Sequence, residues 1–155
     1  SQMSDGAACV ILCNNAAMCE YGWKPMARFV GGAIGTVPAQ YMGEGLIDAF
    51  EKFVAFTGMD VKTFLQTYGL FELNTAFASV PLALVRKHGL DMEKVNIAGG
   101  ATTPIGHPLG ATGVRLVVTL LHLMQRFNVK FGGVGACVGE GQGGFCGYEL
   151  YQAQA

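Results

Sequence analysis

Three residues that can hold or move a proton stand where strand-like runs give way to loops: Asn74 after "GLFEL", His107 in "TTPIGHPLGATG" and Cys137 at the end of "GGVGAC". The chain has only three histidines, and this one lies between a glycine and a proline just ahead of a long amphipathic run. Pro108 biases the residue before it toward extended geometry and suits the first position of a helix. The His107 imidazole is then expected near the unsatisfied N–H groups and positive end of that helix, which disfavour the imidazolium and keep the ring neutral. A neutral ring can donate one hydrogen bond to a developing oxyanion. Cys137 is followed by "VGEGQGG", whose four glycines let successive backbone N–H groups turn inward as an anion-binding nest. A thiol beside His107 can exist as a thiolate and serve as base or nucleophile.

Each of these residues also has an ordinary explanation. His107 can cap its own loop, Asn74 can be the N-cap of the next helix, and Cys137 can be a buried, inert cysteine. That last reading is the one adopted for Cys9, Cys13, Cys19 and Cys146. His88 reads as a cation at a helix end and His122 as a surface or interfacial residue. "GGAIG" at 31–35 lacks both the GxGxxG spacing and the GK[ST] ending of a nucleotide loop.

The elements that must position these groups follow from pattern. "AACVILC" is a short apolar run rich in β-branched residues, as for a strand buried on both faces. "NNAAMCEYG" reads as a helix capped by Asn14 or Asn15 and ended by Gly22. "ARFVGGAIGT" is a strand. Apolar residues recur at helical spacing from Gly45 to Thr57, and Gly58 closes the run. "DVKTFLQTY" is a short helix capped by Asp60, "GLFEL" a strand and "TAFASVPLALVRK" a helix with Pro81 kinking it or lying in its first turns. "VNIAGG" reads as a further buried strand, about 108–127 as the longest helix, and "KFGGVGACV" and "GGFCGYELY" as a hairpin around "GEGQ". This alternation predicts an α/β fold with a mostly parallel sheet and helices on both faces. In such sheets ligands sit outside the carboxyl ends of strands, where Asn74, His107 and Cys137 all fall.

Composition narrows the possibilities. The 155 residues suffice for one core without a disulfide staple. Apolar residues make up 51% and charged ones 14%, so much of the surface is expected to face other protein. A net charge of −1 with no basic stripe offers nothing to nucleic acid. Five cysteines without CxxC spacing argue against a disulfide framework and a zinc knuckle, and for a reducing, intracellular compartment. No apolar stretch approaches the length of a membrane span. Beginning at Ser1 without a methionine suggests a piece of a longer protein.

"LNTAFA" (73–78), "GHPLGATG" (106–113) and "CVGEGQG" (137–143) occur in the order and at about the spacing of three thiolase signatures, which usually read close to NEAFA, GHPxGxSG and CxGGGxG. With "SDGAACVIL" and "YMGEGL", the sequence resembles the thiolase family over nearly its whole length. The resemblance implies a βαβαβαββ domain with a five-stranded, mixed, mostly parallel sheet. Residues 1–25 would be the tail of a preceding amino-terminal domain and 26–155 the carboxyl-terminal one. It further implies exchange of acyl groups between a 3-ketoacyl-CoA and CoA, giving acyl-CoA and acetyl-CoA, with the nucleophilic cysteine supplied by the absent amino-terminal half. Cys137 matches the family's acid–base cysteine and His107 the histidine that assists the nucleophile and faces the thioester oxygen. Asn74 matches the asparagine that holds an oxyanion-hole water, and Gly139 an N–H of a second oxyanion hole. Phe77 and Met42 would line the substrate channel. Coenzyme A enters as substrate, with no metal and no resident cofactor.

Departures from the family pattern are Thr75 in place of glutamate, Glu140 and Gln142 within the glycine-rich loop, Leu46 for a frequent proline, and the bulkier "TTPI" before Gly106. They keep open an alternative, a non-catalytic homologue serving as a CoA-binding or scaffold subunit. A ketosynthase is disfavoured, because that group typically has a second histidine where Cys137 stands. The expected partners are the amino-terminal half, CoA thioesters and further copies in a dimer or tetramer. The expected setting is cytoplasmic, or mitochondrial or peroxisomal in a eukaryote.

Overall fold

A computed structural model describes residues 3–100 and 106–151. Four strands form one sheet: β1 (Ala27–Thr36), β2 (Leu70–Leu73), β3 (Phe131–Val138) and β4 (Gln142–Leu150), in the order β1-β4-β3-β2. The pairings β1–β4 and β3–β4 are antiparallel, and β2–β3 is parallel with Leu73 opposite Gly135. The described residues also form the α-helices α1 (Asn15–Tyr21), α2 (Gly45–Thr57), α3 (Val61–Thr67), α4 (Ser79–His88) and α5 (Thr112–Phe127).

Helix α2 buries Leu46, Ile47, Ala49, Phe50, Phe53 and Val54 against one face of the sheet. Phe50 meets Phe64 and Phe145 edge-on at centroid distances of 5.3 and 5.2 Å, a geometry that favours the ring quadrupoles as well as apolar burial. The helix lies directly on backbone, because a Cβ at Gly35 or Gly143 would strike the first turns of α2. Helix α5 covers the other face with Leu116, Leu120, Leu123 and Met124, packed on Leu70, Val134 and Leu150. The sheet is thus clad on both sides, as the apolar patterning requires.

The α/β class, the hairpin, α2 and the Asn14, Gly22 and Asp60 caps match the sequence. The expected mixed sheet is present too, with four strands described where five were expected and one of their three pairings parallel. "VNIAGG" contributes only a parallel bridge from Val95 to Phe71, because Asn96 enters the left-handed region at φ 51° and turns the chain off the sheet edge. "AACVILC" is neither paired nor buried. Ile11 and Leu12 are 73% and 87% exposed, since a strand needs neighbours that the described residues do not offer.

Helix α4 starts at Ser79, so Asn74 is not its cap, and Pro81 falls in the first turn, where its missing N–H costs nothing. Helix α5 starts at Thr112 rather than Pro108. The N–H groups of Ala111 and Thr112 both donate to the Pro108 carbonyl, at 2.9 Å each, closing a turn ahead of the regular helix. The "TTPI" segment lies outside the described residues.

Candidate active site

Because β2 and β3 are parallel, their carboxyl ends share one edge. Asn74 follows β2 directly, and its backbone N–H donates to the Gly135 carbonyl of β3 at 2.8 Å. Its side chain is buried, with Nδ2 3.5 Å from His107 Nε2. The other ring nitrogen, Nδ1, lies 2.6 Å from Thr112 Oγ1. The threonine hydroxyl donates to the Pro108 carbonyl at 2.9 Å, so its oxygen accepts from His107 N–H at Nδ1. This arrangement favours the tautomer with its proton on Nδ1, which presents the Nε2 lone pair toward Asn74 Nδ2. In this state Nε2 accepts a proton rather than donating to an oxyanion.

The ring is held toward its neutral form, and by burial rather than by a helix terminus. Burial first, and then the Arg115 guanidinium, push the His107 pKa below its ordinary value. The start of α5 is five residues away. Within β2, Glu72 is 1% exposed, and its Oε2 has no hydrogen-bond partner among the described residues. Arg115 Nε and Nη2 are likewise buried without partners there, as is Asn74 Oδ1. Burial raises the Glu72 carboxyl to about 7, with the Arg115 charge opposing. Thr112, Glu72 and Arg115 were not singled out from sequence. The available signal was a carboxylate inside an otherwise apolar strand and an arginine one turn into an apolar helix, which together mark a buried charge facing a countercharge.

Cys137 stands at the same edge, next to last in β3. It is buried in the α2-side core with Leu46 and Phe145, the side that Gly133 and Gly135 also face. His107 is thus tied to Asn74 and to the first residue of α5, whereas Cys137 belongs to the α2-side core. Burial pushes the Cys137 thiol up, so at neutral pH it rests as a thiol and not as the thiolate considered from sequence. Met42, in the 3-10 segment Ala39–Glu44, packs against the same core as Cys137. Phe77 is 56% exposed in the loop after Asn74. Gly139 is exposed and opens the 3-10 turn Gly139–Gly141, in which Glu140 and Gly141 have φ of 64° and 89°.

Cys9, Cys13 and Cys19 are exposed rather than buried, because they lie on the unpaired leading segment and on α1, which buries nothing. Cys146 is half-buried. His88 ends α4 and faces Glu51 at 3.0 Å, while His122 is on the exposed side of α5.

The family model for the thiolase C-terminal domain matches residues 23–146. The chain belongs to the thiolase family. It is 43% identical over 150 residues to a 3-ketoacyl-CoA thiolase of Bacillus subtilis, covering 97% of this chain and 37% of that protein. To the cytosolic acetyl-CoA acetyltransferase of Mus musculus it is 43% identical over 143 residues, covering 92% and 35%. Human mitochondrial 3-ketoacyl-CoA thiolase superposes with a TM-score of 0.81 at 33% identity, over 88% of this chain and 33% of that one. The sheet clad on both faces is thus a thiolase fold. This thiolase chain spans about a third of the length of the relatives it matches. No helix among the described residues is long and apolar enough to cross a membrane.

Proposed function

We propose that this chain is the carboxyl-terminal catalytic portion of an acyl-CoA C-acyltransferase, completed by an amino-terminal portion that brings the nucleophilic thiol and most contacts to CoA. The observation that carries the reading is the contact of His107 Nδ1 with Thr112 Oγ1, which favours the tautomer with an unprotonated Nε2 at the carboxyl edge of the sheet. Nε2 takes the proton of the nucleophilic thiol, and the thiolate attacks the 3-keto carbon of the substrate. The ring, now protonated on both nitrogens, turns Nε2–H toward the developing oxyanion, with the Asn74 amide beside it. Cleavage of the C2–C3 bond leaves an acyl-enzyme and the enolate of acetyl-CoA. The Cys137 thiol, kept protonated by burial, gives its proton to the enolate carbon. The resulting thiolate takes a proton from incoming CoA, which attacks the acyl-enzyme, and the departing nucleophile regains its proton from His107.

With Cys137 in the α2-side core and His107 tied to the first residue of α5, the arriving nucleophile would sit between them. Gly139 supplies a backbone N–H to the enolate oxygen, and Met42 and Phe77 line the channel. Exposed apolar residues such as Phe29, Ile34 and Tyr41 support assembly into a homo-oligomer. Free cysteines support a reducing, intracellular setting.

The second reading, a CoA-binding or scaffold subunit without catalysis, is favoured by Thr75 in the position of the usual glutamate. CoA-dependent cleavage of a short 3-ketoacyl-CoA by the complete protein separates the two. Activity that disappears with His107→Ala, in a variant that still folds, supports catalysis, and a wild-type protein that binds CoA without turnover supports the scaffold.

A further inference from the structure

We infer that Asn96 is a positioning residue for Asn74, acting as a one-residue substitute for the missing outer neighbour of β2. Among the described strands β2 is the edge of the sheet, bridged outward only at Phe71 by Val95, so its outward N–H and C=O groups need partners. Asn96 alone supplies three. Its backbone N–H donates to the Phe71 carbonyl at 2.8 Å, its Oδ1 accepts from the Leu73 N–H at 2.7 Å, and its Nδ2 donates to the Leu73 carbonyl at 3.0 Å. The side-chain amide thereby imitates the next peptide unit of a strand whose backbone has already turned away at φ 51°. Asparagine suits both demands, since it enters the left-handed region more readily than most residues and carries a donor and an acceptor in one plane.

The clamp ends one residue before Asn74. On the other side, the Asn74 N–H is held by Gly135. The Leu73–Asn74 peptide is therefore pinned from both sides, its carbonyl by Asn96 and its N–H by β3, and this sets the direction from which the Asn74 side chain meets His107. The same residue also braces the loop leading toward His107. The Asn96 carbonyl accepts from the Gly99 N–H at 2.8 Å, and a Cβ on Gly100 would come within 2.6 Å of Thr75 Oγ1 and 3.3 Å of Asn96 Nδ2. Asn96 touches neither ring nor thiol, so its effect on chemistry runs through Asn74.

This inference rests on Asn74 serving the proposed reaction, and the test separates the two. In the complete protein, Asn96→Gly keeps the left-handed backbone and its N–H but deletes the amide, whereas Asn96→Asp keeps the Oδ1 acceptor and loses the Nδ2 donor. Both variants should unfold cooperatively, with kcat lowered about tenfold or more and KM for the ketoacyl-CoA nearly unchanged, as for a misplaced catalytic group. Adding Asn96→Gly to Asn74→Ala should cost nothing further. Independent of activity, the ring nitrogen resonances of His107 and the side-chain amide of Asn74 should shift in Asn96→Gly, while those of His122 stay in place. Unmoved His107 and Asn74 resonances, or losses from Asn96→Gly and Asn74→Ala that multiply, would overturn the inference. A wild type without turnover in which these resonances still respond would refute the catalytic reading and leave the positioning intact.

Discussion

In the proposed mechanism the functional weight falls on which nitrogen of His107 carries the proton, and the contact of Nδ1 with Thr112 Oγ1 bears on it directly. Thr112→Val keeps the shape of the side chain and removes the acceptor, leaving Nδ1–H buried without a partner and letting the proton move to Nε2. The expected result in the complete protein is a fall in kcat of roughly a hundredfold, the lower end of what acid–base catalysis contributes, with Thr112→Ser retaining most activity. Steady-state kinetics of the two variants checks this. Glu72 gives a second test. Its pKa rises from 4.5 to about 7 on folding, so the unfolded chain releases that proton first and stability falls as pH rises through this window. At ~1.4 kcal/mol per pKa unit the loss is about 3 kcal/mol between pH 4.5 and 7. Urea unfolding at pH 5 and pH 8 should show Glu72→Gln losing much less stability than wild type over that interval. An equal loss in both proteins would mean that Glu72 does not titrate as its burial requires.

At the scale of elements, the packing of α2 depends on two strand positions that tolerate no Cβ. Gly143→Ala places a methyl against the first turn of α2 and should destabilise by at least 1–3 kcal/mol, the usual cost of overpacking. Gly144→Ala, one residue on, meets nothing within 4 Å and should be close to neutral. Paired thermal melts of these variants test the claim, and equal melting temperatures would contradict it. Elements with a strong local signal were legible in the sequence. The spacing of Leu46 to Phe56 gave α2, and Asp60, Asn14 and Gly22 gave their helix ends, because caps and amphipathic stripes are written within a few residues. What escaped depended on distant partners. Whether "VNIAGG" pairs as a strand turns on the left-handed backbone of Asn96. The late starts of α4 and α5 reflect competing hydrogen bonds at Asn74 and Pro108 that no local propensity records. That Asn74 follows a strand and that Cys137 nearly ends one could be read from position. Their orientations could not, since the face to which Cys137 points follows from the pleat and register of β3, and the tautomer from a threonine five residues beyond the histidine.

At the scale of the whole molecule, the leading segment is the part whose sequence and surroundings disagree. Ala7–Cys13 has the composition of a buried strand, yet it is unpaired and largely exposed. If an amino-terminal portion completes the enzyme, the backbone N–H groups of this segment should become protected from hydrogen exchange when that portion is present, and continued rapid exchange would argue against pairing there. The division of labour across the sheet end leads to the most direct test of the central claim, that Cys137 moves the proton at the acetyl α-carbon while His107 serves the nucleophile. The measurement is incorporation of deuterium from solvent into the methyl group of acetyl-CoA, catalysed by the complete protein with and without Cys137→Ala. The account predicts that the variant still becomes acylated by acetyl-CoA but no longer exchanges the methyl protons. Exchange at the wild-type rate in Cys137→Ala would contradict it.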